Sequence, residues 1–397
     1  MTTTSHPQDI LLGAQAAAPV LPVCDHFSGQ PERMRKSLQL QAQMTAELGR
    51  CVFDVTLDCE DGATVGQEVA HANAVAALVR EHAAAHPDAR IAVRVHALDH
   101  PAFVDDVARI VGQVGEDGAT VGQEVAHANA VAALVREHAA AHPDARIAVR
   151  VHALDHPAFV DDVARIVGQV GDKLTHVMLP KAETVDQVDW VARALDRAYG
   201  PRLPLHVLIE SPAAVQQAFA IAAHPRVQSI SFGLMDFVSA HGGAIPASAM
   251  GVQGQFEHPL VLRAKLEIAA ACHAHGKVAS HCVVTEFKDT AALAQAARQA
   301  SQRLGYTRMW SIHPAQIRPI VAAFAPAADA VATAAAILLA AESAHWGPIS
   351  HEGVLHDRAS YRYYWQVLQR AAQTGLTLPD NVRRWFAEDG QPVASHC

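Results

Sequence analysis

Residues 205–210 read Leu-His-Val-Leu-Ile-Glu, a short apolar run closed by a carboxylate. A run of this length and composition reads as a buried strand rather than a helix. The pattern recurs in both directions along the chain. Strand candidates lie at 20–24, 52–58, 91–96 with a copy at 147–152, 176–179, 205–209, 229–233, 278–282 and 309–312. Ala-rich stretches with helical character separate them, which is the alternation of a parallel α/β sheet. Counting the copied strand once gives eight, and eight such units predict a closed (β/α)8 TIM barrel. An open doubly wound sheet is the alternative, but no G-x-G-x-x-G follows any of these strands.

The copied strand belongs to a larger repeat. Residues 60–115 and 116–171 are identical over 56 positions. Structural repeats drift at solvent-facing positions, so letter-for-letter identity argues against a solenoid and for a recent duplication or an assembly error. A barrel couples strand number, tilt and stagger. The expectation is therefore eight strands, with one copy extruded from the barrel with its helices. The barrel is assigned to 1–325. A helical lid or oligomerisation extension is assigned to 326–397, with an apolar helix at 327–341, a Gly/Pro/His-rich turn at 346–353 and an aromatic helix around 361–368.

Half of the 397 residues are hydrophobic and 18% are charged, the profile of a packed globular chain. A net charge of −9 with no long basic run argues against nucleic acid as a partner. The N-terminus shows neither a basic nor an apolar leader region, and the apolar stretches read as too short or interrupted for a bilayer, so a cytoplasmic location and no membrane contact are expected. The six cysteines form no C-x-x-C pair, which fits reduced thiols. The 25 histidines show no zinc spacing and read mostly as surface or loop residues.

Several strand candidates end in a polar residue: Asp58 with Glu60 and Asp61, Arg94 or Arg150, Lys181, Glu210, Asp236 and His313. In a (β/α)8 barrel these ends converge on one face, where active sites are built. Glu210 and Asp236 follow neighbouring strands. Two carboxylates at such a mouth suit a hard divalent cation, although a pair of buried acids in ion pairs gives the same pattern. Cys59 lies beside acids, which raise a thiol pKa, and is not expected to act as a nucleophile. His313 before Pro314 reads equally as a strand terminator with a ring nitrogen on a backbone group.

Five segments together make a more specific pattern. Leu208-Ile209-Glu210 and Phe232-Gly233-Leu234-Met235-Asp236 resemble the two metal-ligand motifs of the citrate lyase beta-subunit (HpcH/HpaI aldolase) family. Asp58-Cys59-Glu60-Asp61 is similar to its D-L-E-D, Leu179-Pro180-Lys181-Ala182-Glu183 to its V-P-K-x-E, and Ile312-His313-Pro314-Ala315-Gln316 to its I-H-P-x-Q. The resemblance runs from about residue 21 to about residue 371, outside the extra copy. It implies a carbon–carbon lyase that reversibly cleaves a 3-hydroxyacyl-CoA to an acyl-CoA and a 2-oxo acid such as glyoxylate or pyruvate. It implies Mg²⁺ or Mn²⁺ on Glu210 and Asp236. It also implies a catalytic set of Arg150 or its twin Arg94, Lys181, Glu60, Asp61 and Asp357.

The strand arginine would stabilise a thioester enolate, or pair with Glu60 or Asp61, or both. Arg150 is preferred slightly, because its copy runs directly into the next strand. Residues 352–358 resemble the family's D-G-K-M-I-D lid, which places on Asp357 the acid/base role donated by an adjacent subunit of a homotrimer or hexamer. Glu352 and Val354 depart from that lid, and Asp357 reads equally as a helix cap. The family's N-terminal R-S-x-L-F-V-P-G lacks its Arg here, at residues 21–29. Two alternatives therefore stand beside the acyl-CoA lyase: a metal-dependent aldolase on free 2-oxo acids, and an inert barrel.

Overall fold

The computed structural model describes residues 6–12, 21–59, 67–86, 89–94, 132, 135–136, 139, 147–151, 153–154, 159–200 and 203–386. Nine parallel strands form one sheet: β1 (Cys24–Ser28), β2 (Phe53–Asp58), β3 (Ile91–Arg94), β4 (Ile147–Arg150), β5 (Leu174–Leu179), β6 (Leu205–Ile209), β7 (Val227–Phe232), β8 (Val278–His281) and β9 (Arg308–Ser311). Their order is β3-β2-β1-β9-β8-β7-β6-β5-β4. The two ends of this order, β3 and β4, approach one another, so the sheet curls into a nearly closed α/β barrel.

This corrects one expectation. The duplicated strand is not expelled: β3 pairs with β2 from Val55↔Ile91 to Asp58↔Arg94, and β4 pairs with β5 from Ile147↔Leu174 to Arg150↔Met178. Both identical strands hold places, and the barrel has nine strands rather than eight. Chain continuity explains it, because the first copy runs out of β2 and the second runs into β5. Among the described residues no ladder joins β3 to β4, so the barrel has a seam between the copies.

The other strands fall close to their expected places, except the first. It begins at Cys24 instead of ending there. Pro22 has no N–H to give a ladder, and the strand continues through Asp25 and His26, polar residues that are nevertheless buried. His26 faces outward and bonds Ser311 Oγ at 2.9 Å and Ser37 Oγ at 2.8 Å. Asp25 faces inward, where Arg308 Nη2 lies 3.0 Å from its Oδ2 and 2.6 Å from Asp54 Oδ2. Arg90 completes this ionic layer by pairing with Asp54. Nearby, His206 stacks on His176 with centroids 3.7 Å apart and bonds Gln228 Oε1 at 2.7 Å. The layer lies toward the N-terminal ends of the strands, away from the mouth. His26, His71, His206, His281 and His356 are buried, exceptions to the surface or loop placement expected of most histidines.

A second apolar core is built from Leu11 and Leu12 of helix Pro7–Leu12, Val331, Ile337 and Leu338 of helix Ala328–Ser343, and Tyr361, Trp365 and Leu368 of helix Arg358–Gln373. The apolar stretch Pro314–Ser343 comprises two helices, Pro314–Phe324 and Ala328–Ser343. The first packs Ile317, Ile320 and Phe324 on the barrel, and the second packs on this other core. The expected turn at 346–353 and the start of the lid-like segment at 352–358 together form an antiparallel hairpin of β10 (Ile349–His351) and β11 (Val354–His356). Glu352 at φ 52° and Gly353 at φ 78° make its two-residue turn, the left-handed pair that matches strand twist. The cysteines Cys24, Cys51, Cys59, Cys272 and Cys282 are buried and in no disulfide; Cys397 lies outside the described residues.

Candidate active site

Glu210 leaves β6 at its C-terminal end and is only 7% exposed. Its carboxyl is pushed above the usual range, first by burial, then by the Asp236 charge. Arg150, Lys181 and the Lys181 backbone N–H pull the other way. Four groups singled out in the sequence are thus electrostatic neighbours, although they come from four different strand ends. Asp236 sits in the first turn of helix Leu234–Ser239 and is exposed. Lys181 is exposed too, and takes a left-handed backbone at φ 50° just after β5. That conformation is uncommon for a residue with a Cβ, and here it directs the amide toward Glu210.

Gly233 shapes the floor of the site. A Cβ at this position would stand 2.5 Å from Glu210 Cγ and 2.9 Å from Oε1, so only glycine lets the Glu210 side chain lie across the end of β7. Glu210 Oε2 is buried with no hydrogen-bond partner. A buried carboxylate oxygen without a partner is costly. Beside a second carboxylate, it fits a hard cation, which takes oxygen donors and keeps positions open for substrate. Among the described residues no group of three or more His, Cys, Asp or Glu side chains converges on one point, so the candidate centre is a two-carboxylate one.

The other candidates fall as follows. Arg150 ends β4 with its side chain exposed and its charge felt by Glu210. Arg94 holds the equivalent place at the end of β3, and its side chain lies outside the described residues, as do Glu60 and Asp61. Asp357 caps helix Arg358–Gln373: its Oδ1 accepts from Ala359 N at 2.9 Å, and Ser360 Oγ accepts from the Asp357 N–H at 3.2 Å. Its place is in the C-terminal extension, beyond the hairpin, where Val354 and Leu355 are 57% and 72% exposed. His313 caps helix Pro314–Phe324, accepting from Ala315 N at 3.2 Å, and its ring stacks on Phe287.

Sequence reasoning missed the work of Gln316 and Glu183. Gln316 is fully buried; its Oε1 accepts from Ile312 N at 2.9 Å and its Nε2 donates to Val284 O at 2.7 Å, tying the end of β9 to the loop after β8. Glu183 accepts a hydrogen bond from Ser211 Oγ at 2.8 Å. Both lie inside the family-like segments Leu179-Pro180-Lys181-Ala182-Glu183 and Ile312-His313-Pro314-Ala315-Gln316, and that is the signal the sequence carries.

The profile of the HpcH/HpaI aldolase/citrate lyase family matches residues 113–314. The L-malyl-CoA/beta-methylmalyl-CoA lyase of Cereibacter sphaeroides is 33% identical over 247 residues, which span 57% of this chain and 76% of that enzyme. The malyl-CoA/beta-methylmalyl-CoA/citramalyl-CoA lyase of Chloroflexus aurantiacus is 29% identical over 261 residues, covering 60% and 74%. Among solved structures, a citrate lyase from Burkholderia xenovorans is 40% identical, with TM-score 0.62 over 96% of this chain and 99% of the other. The CitE protein of Mycobacterium tuberculosis, solved with magnesium, acetoacetate and coenzyme A, shares the fold at 21% identity and TM-score 0.50, covering 90% and 99%. The chain belongs to the HpcH/HpaI aldolase/citrate lyase family. Its class is that of the carbon–carbon lyases.

Proposed function

We propose that this chain reversibly cleaves a 3-hydroxyacyl-CoA into an acyl-CoA and a 2-oxo acid such as glyoxylate or pyruvate. The observation that carries the reading is Glu210: buried, with one oxygen unpartnered, beside Asp236 and under the charges of Arg150 and Lys181. The names of the similar lyases agree with it. Glu210 and Asp236 would hold Mg²⁺ or Mn²⁺, which when bound supplies Lewis-acid stabilisation of a developing alkoxide.

The chain's own residues do the rest. Arg150 offers a guanidinium to the oxyanion of the thioester enolate. Lys181 adds positive charge at the same mouth. Glu60 and Asp61 are the proposed ion partners of the strand arginine. Asp357 would carry the proton from an adjacent subunit, which makes the working unit a homotrimer or hexamer. Residues 1–325 would form the barrel unit, apart from helix Pro7–Leu12, which packs on the second core, and 326–397 the lid and assembly unit, in a protein of the cytoplasm.

The test is direct. Purified protein with Mg²⁺, glyoxylate and acetyl-CoA or propionyl-CoA should give a 3-hydroxyacyl-CoA by mass spectrometry, and chelation should stop it. Turnover of free 2-oxo acids alone would favour the CoA-independent aldolase. No turnover in either format would favour a barrel that binds without reacting.

A further inference from the structure

Two links join the loops after β5 and β6, and they are reciprocal. The Lys181 N–H donates toward the Glu210 carboxylate, and the Ser211 hydroxyl donates to Glu183 Oε2 at 2.8 Å. Each loop thus gives one donor and one carboxylate to the other, through residues next to one another or two apart in sequence. Both ends are anchored. Gln187 Oε1 accepts from Glu183 N at 2.7 Å and from Thr184 N at 3.2 Å, and Thr184 Oγ1 accepts from Gln187 N at 3.2 Å. Ser211 Oγ also accepts from Ala214 N at 3.0 Å, so its hydroxyl proton is free to face Glu183.

Lys181 would relax out of its left-handed backbone if nothing held it. Two residues on, the Glu183 carboxylate is tied to the residue that follows Glu210. We propose that Glu183 is a positioning residue. Through Ser211 it holds the 181–183 turn against the end of β6, keeps the Lys181 amide on the Glu210 carboxylate, and so fixes the direction in which Glu210 presents its free oxygen. This rests on the metal reading of Glu210. Supporting partners of metal-binding carboxylates commonly matter about tenfold or more in metal affinity.

The experiment titrates full-length protein with Mn²⁺ alone, read by electron paramagnetic resonance, alongside thermal unfolding of each variant. Glu183→Ala should weaken Mn²⁺ binding about tenfold with little change in Tm. Glu183→Gln should bind close to wild type, because its amide oxygen still accepts the Ser211 hydroxyl. Ser211→Gly removes the link from the other side with little cost to the helix cap, and should match Glu183→Ala. Wild-type affinity in Glu183→Ala or in Ser211→Gly overturns the latch. So does a Glu183→Gln variant as weak as Glu183→Ala. A wild-type chain that binds no Mn²⁺ overturns the metal reading and the latch together.

Discussion

The Asp236 carboxylate raises the pKa of the Glu210 carboxyl, second only to the effect of burial. Two like charges held this way are favoured when a cation lies between them and disfavoured without one. Asp236→Asn should therefore lower the Glu210 pKa in metal-free protein, which carboxyl NMR can read directly. The same variant should lose metal-dependent turnover. Asp236 is exposed and in a first helical turn, so the fold should survive with Tm nearly unchanged. Full activity in Asp236→Asn would remove it from the metal site.

Asp357 has two candidate jobs that one pair of substitutions separates. As a helix cap, its loss to Ala should cost about 1 kcal/mol, while Asn keeps the capping oxygen. As a proton donor and acceptor, its loss to Asn should cost about 10²- to 10⁴-fold in kcat. Asp357→Asn should thus be stable and inactive. If the proton crosses between subunits, mixing it with inactive Asp236→Ala protein and allowing exchange should restore activity. A stable, active Asp357→Asn enzyme would leave Asp357 as a cap alone.

The barrel interior makes stability depend on pH in a predictable sense. Burial holds His26 and His206 neutral, with pKa values lowered from 6.5 to about 3. Below pH 6.5 the unfolded chain protonates both histidines and the fold does not, so acid drives unfolding. Asp25 opposes this: burial raises it from 3.8 to about 6, so the fold takes up one proton that the unfolded chain refuses. Two histidines outweigh one aspartate. Between about pH 4 and 6 these three groups alone leave the unfolded state with roughly one proton more, a fall in stability of about 1.4 kcal/mol per pH unit toward acid, and His281 and His82, held neutral by burial as well, steepen it. Urea unfolding at several pH values checks it. His206→Gln should flatten the slope, and a wild-type slope of opposite sign would refute the assignment.

The seam between β3 and β4 predicts the effect of removing one copy. Without residues 60–115, the remaining strand has both β2 and β5 to pair with, and one strand can close the ladder. The shortened chain should show a higher Tm, better solubility and equal or greater activity. A less stable or inactive deletion would make the ninth strand a working part of the barrel.

Most of the strand skeleton was legible because buried parallel strands write themselves as apolar runs, as Leu205–Ile209 does. The first strand was not, because Asp25 and His26 look like loop residues until Arg308, Ser37 and Ser311, distant in sequence, satisfy them. Glu210, Asp236, Arg150 and Lys181 could be named from strand ends and motif likeness. That Arg150 and Lys181 offset the charge of Glu210 could not, since it depends on barrel closure. The hairpin at Ile349–His351 and Val354–His356 is not legible, its first strand reading as a turn and its second as part of a lid motif, because strands of three residues carry too little periodicity to register. Ideal barrel geometry predicts eight strands and leaves no place for a ninth. The chain found a compromise, an unladdered seam, that such geometry does not consider.

That seam has a kinetic consequence. β3 and β4 carry the same four residues, Ile-Ala-Val-Arg, within identical flanks. During refolding, β2 and β5 each meet two equally good partners, and local energy cannot tell the correct choice from the swapped one. Only loop topology separates them, and loop entropy discriminates weakly. Refolding should therefore split into a fast population that chose correctly and a slow one that must undo a swapped pairing. The split should vanish when one copy is removed, because a strand with no twin has no rival.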